Sequence, residues 1–468
     1  MVITLLLVQF FLYKKGFYSV SADEGAHTLE GYWWYMGYNN IFSMWLPFQK
    51  ILFGYTFHVY YDLFWVPKIL SSLFGIFTLL SLMFLAYELF QDKIVSLLSG
   101  FLGSLFWGIA IFSAIALTEI YFFFFVITSI ALILHWRNVN KEIFLWLSIL
   151  LSAIGTTIRY EAWIFSLVLF IVITINICKD RSELQKKVFR IVGISILLFS
   201  FPLLWIYFSF SITNHTTGFI NTIVQRYHPG GILSDMGNNV LYNFLKMNIR
   251  SLNILGFISL YVLYKKDKNV KIYTIIFFAT LFLMSIVTFV SKAMPNHDFW
   301  RLAAIWSIML LPFTAKWLNN LFMEKKLQMK ISASLILIII VFFSTNQVVA
   351  LSSRTFMSKE DISTGKYIKS IMKLEGSDSK IFIEKNNYEF VNLLVASQVP
   401  DRFIVDEKYF KNTKLHSNPA DLKDDLIKGF KKFNIRYLIL TPNSYLSPSL
   451  LDLKEIKNFI IWKIYKLK

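Results

Sequence analysis

Two adjacent carboxylates, Asp23 and Glu24, stand shortly after the first apolar stretch of the chain, and His27 lies one turn later. Ionised groups beside hydrocarbon are costly, so acidic residues at the edge of an apolar segment favour a functional site over a filler loop. A carboxylate whose pKa is raised by a partly apolar setting can take a proton from a hydroxyl group. Asp23 and Glu24 are therefore the predicted catalytic residues.

The same pair has a structural alternative. Ala22 and the two acids stand before a run with helical spacing, where a carboxylate can accept hydrogen bonds from free helix amides. One acid can cap the helix while the other reacts. Glu24 and His27 also match the Glu-x-x-His spacing of di-iron bundles, but that site needs a second copy, which the sequence lacks. We predict no metal site, and assistance by a divalent cation stays open.

Further charged residues stand in other polar breaks of the chain, where cations could bind a phosphate and stabilise its departure. Each also has a structural alternative: an acid at a helix start, an ion pair in a tight turn, a contact one helical turn apart, or a lipid headgroup contact. The predicted substrate-binding residues are His27, Glu119, Arg159, Glu161, Arg226, His228, His297 and Arg301.

The composition is that of a membrane protein. The 468 residues are 56% hydrophobic and only 16% charged, whereas soluble domains are about 25% charged. The hydropathy pattern predicts a polytopic α-helical membrane protein with about 11 transmembrane helices. Their approximate extents are 2–17, 63–87, 94–111, 119–136, 143–158, 161–178, 189–210, 250–264, 272–290, 302–320 and 331–350.

Basic residues in the loops predict the orientation, since cytoplasmic loops carry more Lys and Arg. The loops 88–93, 135–142, 179–190, 265–271 and 316–330 hold 16 of them in 48 residues, and the opposite loops hold 10 in 120. The N-terminus is thus predicted to be cytoplasmic, and Asp23 extracytoplasmic. The formal charge of +18 is explained by topology and by contact with anionic membrane lipids, and no nucleic-acid partner is predicted.

The sequence predicts two domains, a transmembrane domain over 1–350 and a small extracytoplasmic α/β domain over 351–468. In the second, Lys380–Glu384, Arg402–Asp406 and Arg436–Thr441 resemble strands, while Tyr388–Val399 and Ala420–Phe433 have helical spacing. This alternation predicts a partly parallel sheet.

The order of these motifs resembles the GT-C superfamily of integral membrane glycosyltransferases, near the protein O-mannosyltransferases and the aminoarabinose transferases of lipid A. The resemblance covers about residues 1–350. It rests on Asp23-Glu24-x-x-His27, on Ala116-Leu117-Thr118-Glu119, and on Thr157-Ile158-Arg159-Tyr160-Glu161. The Asp-Glu segment has one more residue before its histidine than the mannosyltransferases have.

The resemblance implies inverting transfer of a sugar from a polyprenyl-phosphate donor to a lipid, glycan or protein acceptor in the plasma membrane. By the same resemblance Asp23 is the stronger candidate for the base, and Glu24 positions the acceptor. Two alternatives differ in function. A transporter or flippase of a lipid-linked or anionic solute usually shows repeat symmetry, which is not evident here. A lipid-dependent oligosaccharide polymerase or ligase differs mainly in its acceptor.

Overall fold

The computed structural model describes residues 1–38, 45–179, 183–213, 239–291, 299–353, 355–376, 378–383, 388–405, 427–441 and 453–467. The chain divides into two compact units. The first unit comprises Met1–Leu12, Asn39–Ile51 and Ile69–Ser353, and the second comprises Tyr13–Tyr38, Leu52–Lys68 and Arg354–Lys468. The boundary at residue 350 between the two predicted domains stays a prediction.

Helices form most of the described chain. They are α1 (Val2–Lys15), α2 (Asp23–Tyr35), α3 (Phe48–Val59), α4 (Trp65–Phe90), α5 (Lys93–Leu105), α6 (Trp107–Phe112), α7 (Glu119–Val139), α8 (Glu142–Thr156), α9 (Glu161–Lys179), α10 (Leu184–Thr213), α11 (Val240–Arg250), α12 (Gly256–Tyr264), α13 (Lys268–Ser291), α14 (Phe299–Met323), α15 (Leu327–Ser352), α16 (Lys359–Leu374) and α17 (Phe390–Ser397).

Among the described residues, seven helices are long and apolar enough to cross a bilayer: α4, α7, α9, α10, α13, α14 and α15. Shorter apolar helices lie at Lys93–Leu105, Glu142–Thr156 and Asn253–Tyr264. A span takes about 20 apolar residues, so the chain is a multi-pass integral membrane protein, as predicted. The predicted number of eleven spans is not confirmed by this set.

One end of the first unit is joined by polar contacts between helix ends. Glu88, near the end of α4, accepts from Asn138 Nδ2 at 2.7 Å and contacts His135 Nδ1 at 2.9 Å, both on α7. Asn138 in turn accepts from Asn269 of α13 at 2.6 Å. These residues stand in or beside loops 88–93, 135–142 and 265–271, which were predicted to share the cytoplasmic face. The contacts place these loops at one end of the unit.

The second unit contains a five-stranded sheet of β1 (Lys380–Ile383), β2 (Phe403–Val405), β3 (Ile435–Leu440), β4 (Lys454–Asn458) and β5 (Lys463–Lys466). The strand order is β2-β1-β3-β5-β4. β1 is parallel to both β2 and β3, whereas β5 is antiparallel to β3 and β4. The partly parallel sheet confirms the predicted α/β character. Strands β4 and β5 were not predicted.

Each face of this sheet carries an apolar core. One core includes Ile381, Ile383 and Trp462, and α16 and α17 contribute Ile368 and Leu393 to it. The other core gathers buried residues around the short helical segment 427–432, namely Phe382, Ile404, Phe430, Ile435, Leu438, Leu440 and Tyr465. The segment lies inside the predicted helix Ala420–Phe433, whose first residues are outside the described chain.

Candidate functional site

A buried cluster of two carboxylates and two guanidinium groups lies in the first unit, at the starts of three helices. Glu119 is the first residue of α7, and its side chain is 1% exposed. Its Oε1 accepts from Arg301 Nε at 2.6 Å and lies 2.8 Å from Arg159 Nη1. Its Oε2 has no hydrogen-bond partner among the described residues. One oxygen thus joins α14 to the turn between α8 and α9.

Arg159 is the centre of this cluster. Its Nε and Nη2 donate to the two oxygens of Glu161 at 3.1 and 2.7 Å, and Nη1 also donates to Thr118 Oγ1 at 2.8 Å. The paired contact is the geometry that a planar guanidinium makes with a carboxylate. Burial by itself would lower the pKa of Arg159, but the carboxylates of Glu119 and Glu161 outweigh it and raise the pKa above its ordinary value.

Four predicted substrate-binding residues therefore lie together, and we name them the Glu119 cluster: Glu119, Arg159, Glu161 and Arg301. Glu119, Glu161 and Arg301 lie in the first turns of α7, α9 and α14. These helix starts consequently lie at one end of the unit, as expected for loops on a common face. The predicted roles as an interfacial acid and as a turn-holding ion pair also fit this geometry.

The predicted catalytic pair belongs to the second unit, where the two acids differ in their surroundings. Glu24 is buried and accepts from Val20 N at 2.6 Å, Ser21 N at 3.2 Å and Ser21 Oγ at 2.8 Å. It thereby holds the loop before α2, which differs from the predicted cap: Glu24 accepts from residues before the helix, and the N-cap position, Ala22, makes no side-chain cap hydrogen bond. Asp23, the first residue of α2, is partly exposed.

Helix α2 is fixed by its neighbours on both sides. A Cβ atom on Gly25 would meet Val391 Cγ1 of α17 at 2.6 Å, so the two helices pack as closely as glycine allows. Near the other end of α2, Tyr32 Oη donates to Asp401 Oδ1 at 3.0 Å. Burial, followed by the charge of Asp401, raises the pKa of Tyr32. The position of Asp23 is thus set by α2 as a whole.

His27 is buried on α2, one turn after Glu24. Within the described parts of the chain, no group of three or more His, Cys, Asp or Glu side chains could hold a metal ion. Arg226, His228 and His297 lie outside the described residues.

Lys68 was missed by the sequence interpretation. It lies in the first turn of α4, is 5% exposed, and donates from Nζ to the Phe64 carbonyl at 3.3 Å. The ammonium also lies 3.9 Å from the Phe64 ring centroid, and the carboxylates of Glu24 and Asp62 act on it electrostatically. A buried cation with a single hydrogen-bond acceptor among the described residues is costly. A lone lysine at the start of an apolar run gives no sequence signal for such burial.

Comparison with known proteins addresses the fold. No protein-family model matches the sequence, and no curated protein sequence matches it significantly. The structure is similar to that of ArnT from Cupriavidus metallidurans, in the apo state (TM-score 0.65, 11% identity, 99% of this chain and 96% of ArnT). It is also similar to ArnT bound to undecaprenyl phosphate (TM-score 0.67, 11% identity, 100% of this chain and 97% of ArnT).

A second similar structure is the oligosaccharyltransferase AglB from Archaeoglobus fulgidus, in complex with an inhibitory peptide and a dolichol-phosphate. Its TM-score is 0.53 at 10% identity, over 94% of this chain and 69% of AglB. ArnT and AglB are both members of the GT-C superfamily. The predicted resemblance is confirmed at the level of the fold: the chain has a fold similar to that of these two membrane proteins.

Proposed function

We propose that the protein is a membrane glycosyltransferase that transfers a sugar from a polyprenyl-phosphate donor to an acceptor at the extracytoplasmic face. The observation that carries this proposal is the similarity, over nearly the whole length of both chains, to ArnT bound to undecaprenyl phosphate. The likeness itself concerns the fold, and the activity is argued from the residues of this chain.

Asp23 is the proposed base that takes the proton of the acceptor hydroxyl. Both oxygens of Glu24 already accept hydrogen bonds from Val20 and Ser21, so Glu24 is better suited to position the loop before α2. Transfer by direct attack of the acceptor on the sugar needs one base and inverts the sugar's configuration. A phosphate leaving group needs no strong general acid.

Arg301 is the proposed cation for the donor phosphate. Arg301 uses its Nε for Glu119, which fixes the orientation of the planar guanidinium group. Arg159 and Glu161 then support Arg301 through Glu119, and His27, Arg226, His228 and His297 keep their predicted roles in substrate binding.

The first test is catalytic. Mass spectrometry of the lipid-linked sugars that accumulate when the gene is deleted would identify the donor, and the purified protein would then be assayed with that lipid fraction. We expect Asp23→Asn to reduce turnover by at least about 100-fold, within the range of general-base catalysis. Unchanged turnover in a folded Asp23→Asn protein would remove the catalytic assignment.

The second test is binding of undecaprenyl phosphate to the protein in nanodiscs. We expect Arg301→Gln to weaken binding by about tenfold or more, since a charged hydrogen bond contributes about 1.5–3 kcal/mol. Asp23→Asn should bind this lipid at least as well as the parent protein, because the acid acts on the acceptor. Absence of measurable binding by the parent protein would contradict the proposed donor class.

A further inference from the structure

The second unit exposes a group of neighbouring aromatic rings on α2, on the end of α3 and on the residues that follow them. Tyr35 lies 5.5 Å from Tyr61 and 4.7 Å from His58, and Trp33 lies 5.6 Å from Tyr38, between ring centroids. Trp33 is 37%, Tyr38 64% and Tyr61 38% exposed, and His58 is exposed as well. We name these five residues the aromatic platform.

The aromatic platform is held in place by packing and hydrogen bonds within the second unit. A Cβ atom on Gly31 of α2 would meet Phe53 Cβ of α3 at 2.6 Å, so the two helices lie as close as glycine allows. Tyr61 Oη donates to the Gln398 carbonyl at 2.7 Å, and the amide of Leu63 donates to Gln398 Oε1 at 2.8 Å. Rings that are already fixed lose little freedom when a ligand binds.

A carboxylate lies beside these rings. Asp401 Oδ1 accepts from Tyr32 Oη at 3.0 Å, and the Tyr32 ring lies 6.3 Å from the ring of Tyr61. Burial, followed by the charge of Asp401, raises the pKa of both tyrosines above the ordinary value. The side chain of Asp401 is still 39% exposed, and its Oδ2 lies 3.8 Å from Arg402 Nε. An acceptor of hydrogen bonds is therefore available to a ligand next to the rings.

A sugar ring matches this combination of groups. A pyranose has a face of C–H groups and a rim of hydroxyl groups. The C–H face packs on an aromatic ring, whose own face carries partial negative charge. The hydroxyl groups donate to a carboxylate, which when ionised only accepts hydrogen bonds. The aromatic platform and Asp401 supply both kinds of contact side by side.

Aromatic side chains also lie at the interface of a bilayer with water, but the carboxylate argues against a lipid as the occupant here. Anionic headgroups would repel Asp401, and hydrocarbon would impose the cost of an ionised group beside it. A neutral polyol carries neither penalty. The charge at this surface thus favours a sugar over a lipid.

We propose that the aromatic platform binds a pyranose ring of a glycan, with the C–H face on the exposed rings and the hydroxyl groups on Asp401. In the proposed reaction this glycan is the acceptor, and that second step alone rests on the proposed function.

The test is saturation-transfer NMR on the full-length protein in nanodiscs. The probes are the methyl glycosides of glucose, mannose, galactose and N-acetylglucosamine, with the peptide Gly-Ser-Gly as a further probe. We expect saturation of the aromatic protons to reach the C–H face of at least one glycoside. Tyr38→Leu and Tyr61→Leu should each weaken its binding by about fivefold, as expected for the loss of an aromatic contact.

Two variants separate ligand contact from a structural effect. Tyr61→Phe should bind like the parent protein, because it keeps the ring and loses only the hydroxyl group. Tyr388→Leu is the matched control, since Tyr388 is 55% exposed in the same unit but is not part of the aromatic platform, and it should leave binding unchanged. Asp401→Asn should weaken binding, because an amide offers one acceptor oxygen in place of two.

Absence of saturation transfer to every glycoside would overturn the proposal. Transfer to Gly-Ser-Gly alone would do the same and would identify a surface for peptides. Equal losses in Tyr61→Phe and Tyr61→Leu, or in Tyr388→Leu and Tyr38→Leu, would show that the ring faces are not the contact. Binding of glycosides is measured without undecaprenyl phosphate, so failure of the proposed donor class leaves this result untouched.

Discussion

At the scale of single residues, Glu119 is the buried carboxylate that links the two guanidinium groups of the Glu119 cluster. One oxygen of this buried carboxylate is bonded to Arg301 and close to Arg159. The second carboxylate, Glu161, pairs with Arg159 through both of its oxygens. Two positive and two negative groups therefore compensate each other at a place where a single unpaired charge would be costly.

We predict that Glu119→Gln lowers the free energy of unfolding by about 3–5 kcal/mol, because it leaves two buried guanidinium groups with one carboxylate. The matched control is Glu183→Gln, the same chemical change in an exposed pair with Lys186 at 3.4 Å. The control should change stability by less than about 0.5 kcal/mol. Thermal unfolding in detergent would compare them, and equal effects would show that the Glu119 cluster contributes no more than a surface ion pair.

Substitutions of Asp23 and Glu24 should differ in their effects on stability and on activity. Glu24→Gln should destabilise the second unit by about 1–3 kcal/mol, because a buried carboxylate that accepts three hydrogen bonds loses part of them. Asp23→Asn should lower the free energy of unfolding by less than about 1 kcal/mol, although it removes sugar transfer. Unfolding curves of both proteins, recorded together, check the order. A larger loss of stability for Asp23→Asn would reverse the roles that we give to the two acids.

The sequence identified the chemistry of these residues but not their contacts. Glu119 and Arg301 are 182 positions apart, and no spacing rule relates them. The two residues were grouped only because their loops were predicted to lie on the same face of the membrane. Lys68 was missed for the complementary reason: its burial depends on packing around α4, which composition does not reveal.

At the scale of elements, the approach of α2 to α17 places the start of α2 and thus Asp23. We predict that Gly25→Ala destabilises the second unit by about 1–3 kcal/mol, because its Cβ would overlap Val391 Cγ1. Adding Val391→Ala should restore part of the loss. Gly376→Ala is the control, since a Cβ atom there meets nothing within 4 Å. Equal stability of the two single variants, by thermal unfolding, would contradict the close packing.

Elements with a strong hydrophobic period were predictable and short charged ones were not. Strand β3 overlaps the predicted strand Arg436–Thr441 and begins one residue before it, and helix α17 lies within the predicted segment Tyr388–Val399, because apolar residues dominate both. β4 and β5 contain two lysines each in five and four residues, so their alternation is obscured. β5 forms as a strand because it pairs with β3, a contact between residues far apart in the sequence.

At the scale of the whole molecule, the loops that share an end of the first unit predict the orientation in the membrane. Glu88, Asn138 and Asn269 lie together at one end, and the Glu119 cluster joins three helix starts. The loops beside Glu88, Asn138 and Asn269 belong to the set that is rich in Lys and Arg, and this excess predicts that they are cytoplasmic.

A reporter fused near Lys265 should therefore be cytoplasmic, and one fused after Leu351 should be external. Cys178 is exposed at the end of α9, and it serves as an internal check. In intact cells its thiol should react with a membrane-permeant maleimide and resist an impermeant one. Labelling by both reagents would place the end of α9 outside and invert the predicted topology.

The single oxygen that Glu119 presents to both guanidinium groups has a mechanical consequence. Because both guanidinium groups contact the same oxygen, a rotation of the carboxylate changes both contacts together. A displacement of α14 that moves Glu119 would accordingly change its contact with Arg159, in the turn between α8 and α9, as well. The starts of α7 and α14 and the turn between α8 and α9 are thus coupled through one oxygen atom, so a movement of any one of them disturbs its contacts with the others.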